Sequence, residues 1–217
     1  MNMAKKIKKE AKHKNLKILA AGDIHGDIGL AKQLAEKAKK ENVDLVILCG
    51  DLTYAEMHTD NLIKPFMKLG KQILVIPGNH ETLATVDFWT KIYGDKVKNL
   101  HGAGLRFKDI GIFGCGSANI GLFQLKEQEI YNILKKGYEK IKKAKTKIMV
   151  THVHPSDTLM SRLTTVFPGS TGVKKAITQF HPSISLCSHV HEAEGIEEKL
   201  GNTKIINVGR KGKIIKI

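Results

Sequence analysis

Three short apolar runs, each stopped by glycine and an acidic or amide residue, constrain this chain more than any other feature. Residues 16–21 lead into Gly22-Asp23-Ile24-His25-Gly26, residues 45–49 into Gly50-Asp51, and residues 73–76 into Pro77-Gly78-Asn79-His80-Glu81. Apolar runs this short, closed by turn formers, read as buried strands. Between them, Leu30, Leu34, Ala35 and Ala38 recur at helical spacing over residues 30–40, and residues 63–69 read as a second helix. Strand, helix, strand, helix, strand at this spacing predicts parallel βαβ units with the sheet covered on both faces.

The second half is less regular. Helices are predicted over residues 85–93, 125–145 and 173–180. Residues 105–107 and 111–114 read as short antiparallel strands, and further strands are predicted over 148–151, 184–187, 204–208 and 213–217. There is no internal repeat or low-complexity linker, so residues 16–217 read as one domain behind a basic N-terminal tail or helix over residues 1–15.

Parallel strands share one carboxyl edge, where open α/β sheets place their sites. Asp23, His25, Asp51, Asn79 and His80 are therefore expected to converge. Two later predicted strands add His152 and the pair His189-Val190-His191. Each residue alone has an ordinary explanation. An Asp after a strand often forms a turn or caps a helix, as Asp27 is expected to do before the first helix. His13, His58, His101 and His181 read as surface or satisfied residues. Five strand ends in succession, all carrying imidazole, carboxylate or amide, point instead to metal. The mixture suits Mn, Fe, Zn or Ni better than Ca or Mg, and supplies too many donors for one tetrahedral ion.

Composition narrows the partners. The net charge of +15 implies affinity for anions, but the lysine runs at residues 5–14 and 135–147 lack interleaved aromatics that would stack bases. Nucleic acid is thus a possible partner without being the favoured one. No apolar run reaches the ~20 residues of a membrane span. Cys49, Cys115 and Cys187 lack metal-ligand spacing and read as buried free thiols, in keeping with a cytoplasmic location.

The ordered blocks Asp-x-His, Gly-Asp, Gly-Asn-His-Glu, His and His-x-His, all between residues 23 and 191, resemble the calcineurin-like metallophosphoesterase superfamily. The short spacings resemble its small prokaryotic phosphodiesterases. The resemblance implies a four-layer α/β/β/α sandwich with two mixed sheets. It implies one ion on Asp23, His25 and His191, a second on Asn79, His152 and His189, and Asp51 bridging both. His80 would stand outside the ligand set beside the scissile phosphate, with Glu81 orienting its ring. Two ions, Mn first and Fe, Ni or Zn as alternatives, would clamp the phosphate and acidify a bridging water to the attacking hydroxide. The substrate is then a small phosphodiester or phosphomonoester. A nuclease and a non-catalytic metal-binding scaffold are the competing expectations, and the oligomeric state is left open.

The sequence departs from the family pattern at Ser188, where the last block usually carries glycine. Arg210 is a candidate substrate contact, although an ordinary surface role is as good a reading. His154 offers a second imidazole beside His152, and the segment before the helix at 173–180 offers either a Ser170 cap or an anion site.

Overall fold

A computed structural model describes residues 16–107, 109–163 and 166–217; the basic segment over residues 1–15 lies outside them. The first half forms the predicted parallel series. β1 (Lys17–Ala21), β2 (Leu45–Leu48) and β3 (Gln72–Val75) run parallel, joined by α1 (Ile28–Lys40) and the single turn α2 (Lys64–Met67). After β3, α3 (Leu83–Tyr93) leads to a further parallel strand, β4 (Val97–Asn99). The Asp27 carboxylate caps α1 by accepting the Leu30 N–H at 2.8 Å. Lys37, Lys39 and Lys40 in its last turn complement the negative end of the helix dipole.

The second half builds another sheet from β5 (Gly104–Phe107), β6 (Ile110–Cys115), β7 (Thr146–Thr151), β8 (Ile184–Cys187), β9 (Glu197–Leu200) and β10 (Thr203–Asn207). Its order is β5-β6-β7-β8-β10-β9, parallel in the middle and antiparallel at both edges. α4 (Glu127–Ile141) and α5 (Thr171–Phe180) cover its outer face. The final strand, β11 (Lys213–Lys216), returns to pair antiparallel with β1, giving the first sheet the order β11-β1-β2-β3-β4.

Side chains alternate across each strand and so serve two cores. Ile18, Ala20, Leu45 and Ile47 face the second sheet and meet Ile112, Ile148, Val150 and Leu186. Their neighbours Leu19, Ala21, Val46 and Leu48 face Leu34, Phe66, Val86 and Trp89 of the helices. The result is the four-layer α/β/β/α sandwich with two mixed sheets. Ile47 is fully buried between the sheets, where truncation to alanine costs about 2–5 kcal/mol. No helix among the described residues is long and apolar enough to cross a membrane.

Candidate metal centre

β1, β2 and β3 end side by side, and hydrogen bonds lock the loops that follow them. The Asp23 N–H donates to Gly50 O at 3.0 Å and the His25 N–H to Asp51 O at 2.9 Å. Asp23, His25, Asp51 and His189 all hold left-handed backbone, with φ of 53°, 49°, 51° and 73°. For residues with a Cβ this costs roughly 1–2 kcal/mol each. Such strain persists only where the surrounding fold enforces it. Gly78 makes the close approach possible, because a Cβ there would lie 2.0 Å from Oδ1 of Asp51. That oxygen accepts the His80 N–H at 2.9 Å.

Two groups of donors result, with Asp51 between them. Oδ2 of Asp51 is 3.2 Å from Nε2 of His152 and 3.9 Å from Nε2 of His25. Around His152, Nε2 also lies 3.1 Å from Oδ1 of Asn79 and 3.2 Å from Nδ1 of His189. On the opposite side, the Nε2 atoms of His25 and His191 are 3.3 Å apart, and Asp23 completes a triad whose ligand atoms fall within 4.8 Å of one another. Two nitrogens on one ion at about 2.1 Å would stand about 3.0–3.4 Å apart for angles of about 90–109°. Both imidazole pairs match that spacing. Buried Nε2 of His189 has no hydrogen-bond partner among the described residues. The donors present fit two metal ions.

Supporting groups set the ring orientations. Nδ1 of His152 lies 2.9 Å from the Cys49 carbonyl, which only accepts. Nδ1 therefore carries the proton, and Nε2 turns its lone pair into the cluster. Ser188 Oγ donates to the same carbonyl at 2.9 Å and sits 3.1 Å from Nδ1 of His152. The ring of His80 is held differently. Its Nδ1 accepts the Ala55 N–H at 3.3 Å, so the neutral ring keeps its proton on Nε2, 3.9 Å from Asp51 Oδ2. In that tautomer His80 presents an N–H donor to the site, and its ring also lies close enough to His25 and Asp51 to form a third group of candidate ligands.

Burial pushes His25 down to about 4 and His189 to about 2, leaving both rings neutral. Burial alone would raise Asp51, but His152, His80 and His25 together hold it well below the usual carboxylate range. Burial lowers His152 too, yet Asp51 and Asp23 overcome it and raise the ring to about 9. Desolvation raises Asp23. Without metal, the buried carboxylates therefore keep a proton on His152 that a cation would displace.

The calcineurin-like phosphoesterase family model matches residues 16–193. The chain belongs to that family. Structural likeness agrees at the level of fold. The protein TT1561 of Thermus thermophilus aligns with TM-score 0.74 and 16% identity, over 94% of this chain and 99% of that one. A structure described as a novel archaeal phosphodiesterase aligns with TM-score 0.54 and 16% identity, over 93% and 100%. The purple acid phosphatase PPD1 of yellow lupin (Lupinus luteus) aligns with TM-score 0.59 and 14% identity, over 94% of this chain and 45% of that one. A search of curated proteins gives no match.

Against the family pattern, Ser188 takes a defined place beneath His152, and Gly22 leaves it room, since a Cβ there would lie 2.5 Å from the hydroxyl. Glu81, expected against the His80 ring, is instead buried under the loops. Its carboxylate accepts the N–H groups of Leu52, Thr53 and Gly78 at 3.1, 3.4 and 3.0 Å. Burial, aided by Asp51, pushes it up to about 7 against those bonds. Arg210 is committed to the scaffold, donating to the Asp23 carbonyl at 2.9 Å and to Asp27 at 3.3 Å. His154 is buried and does not line the cleft. At the start of α5, Ser170 accepts the Val173 N–H, while the Glu127 carboxylate takes the Gly172 N–H at 2.6 Å and fills the place an anion would occupy. Five residues that line the cleft carry no signal in the sequence: Tyr54, Gly121, Leu122, Phe167 and Glu192. Tyr54 lies three residues after Asp51, but an isolated aromatic in a loop carries no periodic signal.

Proposed function

We propose that the chain is a phosphoesterase that hydrolyses a small phosphodiester, or a phosphomonoester, with two metal ions. The observation that carries this reading is the shared carboxylate. Asp51 Oδ2 lies within 4 Å of both His152 and His25, at the junction of two donor groups of the right spacing. Asp23, His25 and His191 would hold one ion, and Asn79, His152 and His189 the other, with Asp51 common to both. Mn is the first candidate, then Fe, Ni or Zn. When bound, the ions supply charge neutralisation at the phosphate and acidify water at neutral pH.

The chain's own residues do the remainder. Ala55 and Asp51 fix His80 on both sides, at its ring and its backbone N–H, with Nε2–H aimed into the cleft. That proton stabilises charge developing on the leaving oxygen, a role worth about 10²–10⁴-fold. Glu81 shapes the loops without touching substrate. The three free, buried cysteines suit a reducing cytoplasm.

The test is hydrolysis of bis-p-nitrophenyl phosphate and p-nitrophenyl phosphate after EDTA treatment and readdition of Mn, Ni, Zn or Mg. Metal-restored turnover supports the enzyme, and the better ester separates diesterase from monoesterase. No turnover with any metal, with both ions bound, sinks the reading in favour of a scaffold. The charge of +15 favours one other reading, a nuclease. Polynucleotide cleavage with a steep inverse salt dependence would establish it.

A further inference from the structure

The cleft of about 650 Å³ over the donor groups has a polar floor and an apolar rim. Tyr54 and Leu122 stand on that rim with 53% and 62% of their surface exposed. Phe167 completes it, with its ring edge-on to His189 at a centroid distance of 4.8 Å. Large apolar side chains left open around a polar site mark ligand contact. None of the described residues lining the cleft is lysine or arginine, and its charged rim residue is Glu192. Among the described residues the cleft thus presents no cationic side chain, and its rim suits an uncharged substituent on the phosphate.

Tyr54 is placed with care. It stacks on His80 with ring centroids 4.9 Å apart and planes 24° from parallel. It begins a tight turn in which Ala55 and Glu56 both hold positive φ, 52° and 60°, and Met57 bridges back to Tyr54. Glu56 secures that strained turn to α3, accepting the Thr82 N–H at 2.9 Å and the Thr82 and Thr85 hydroxyls at 2.6 and 2.5 Å. Across the cleft, Leu122 is held by the neighbouring Phe123 N–H, which donates to the Asn79 carbonyl at 3.2 Å. A flat ring fixed in plane beside the reacting phosphate selects another flat ring.

Resting on the proposed phosphoesterase reading, we infer that the substrate carries a planar aromatic group on its phosphate, aryl or nucleoside, seated between Tyr54 and Leu122. Three phosphonates, used as competitive inhibitors of Mn-supported p-nitrophenyl ester hydrolysis, test it: phenylphosphonate, ethylphosphonate and the 5′-phosphonate of thymidine. The wild type binds the phenyl or thymidine compound about tenfold more tightly than the ethyl compound, the size of one stacking contact of about 1.4 kcal/mol. Which of the two aromatic compounds leads separates aryl from nucleoside. Tyr54→Phe keeps the preference and Tyr54→Ala abolishes it. Equal inhibition constants for all three overturn the inference. So does a Tyr54→Ala loss equal for every compound, which would make the ring only a prop for His80. Binding separates this failure from failure of the enzyme reading. If no ester is cleaved, Mn-loaded protein should still bind phenylphosphonate about tenfold more tightly than methylphosphonate, and equal affinities overturn the inference.

Discussion

The two donor groups flanking Asp51 are built unlike one another. Around His152 the donors are enclosed: His152 is fully buried, Asn79 is 5% exposed, and His189 9%. The Cys49 carbonyl and Ser188 brace that ring from behind. Around His25 the set is more open: Asp23 is fully buried, but His25 is partly exposed and His191 exposed. Both groups sit just past strand ends, Asn79, His152 and His189 after β3, β7 and β8 and Asp23 and His25 after β1, whereas His191 opens a short 3-10 turn at the surface. Pre-oriented, desolvated donors bind an ion more tightly than donors that must be ordered. One ion is thus expected to be retained and the other to exchange.

Removing the shared carboxylate breaks the comparison altogether. Asp51→Ala is expected to empty both positions and lower turnover by about 10⁴-fold or more, since several kcal/mol of charge stabilisation leave with the ions. Metal content by plasma emission spectrometry checks it, and two ions retained would refute the bridging role. His80→Ala isolates chemistry from metal: both ions stay and kcat falls by about 10²–10⁴-fold.

Smaller changes sharpen the asymmetry. His191→Ala should leave one firmly held ion, while His189→Ala should loosen the enclosed position; competition with a graded series of chelators ranks the two. Ser188→Gly restores the usual family residue and removes a brace from His152. It should weaken the enclosed ion by about 10–100-fold and spare the open one. An unchanged enclosed affinity would mean that the Cys49 carbonyl suffices.

The smallest effect is on acid stability of the metal-free protein. Burial holds His25 and His154 at about 4 and His189 at about 2, below the unfolded value near 6.5. The unfolded chain binds more protons in that window, so the stability these rings contribute is lost as pH falls from 6.5 towards 4. Glu81, raised to about 7, opposes them: its contribution is present at low pH and lost as pH rises from about 4.5 to 7. His152, raised to about 9, acts likewise at higher pH. His154→Gln should flatten the acid limb by up to about 1.4 kcal/mol per pH unit, read from urea midpoints across pH 4–6.5.

Much of this architecture was legible in the sequence because buried parallel strands are short apolar runs with chemistry at their ends. The edges were not. β9 carries Glu197, Glu198 and Lys199, a charged pattern suited to an exposed edge and invisible to an apolar search. β4 has three residues, too few for a period to register. The helix read over 63–69 is one turn, α2, with Pro65 near its start. Within the site, the strand-end donors were readable, but their supports were not. The Ala55 N–H on His80 and Glu56 on Thr82 and Thr85 join residues more than 20 positions apart. No local pattern encodes such pairs.

The most direct test of the central claim is a manganese titration of EDTA-treated protein, with bound metal and p-nitrophenyl ester hydrolysis followed together. The account predicts two ions per chain, a tight one and a weaker one, with turnover rising as the second position fills. Full turnover with a single ion, or turnover that persists in EDTA, would contradict it.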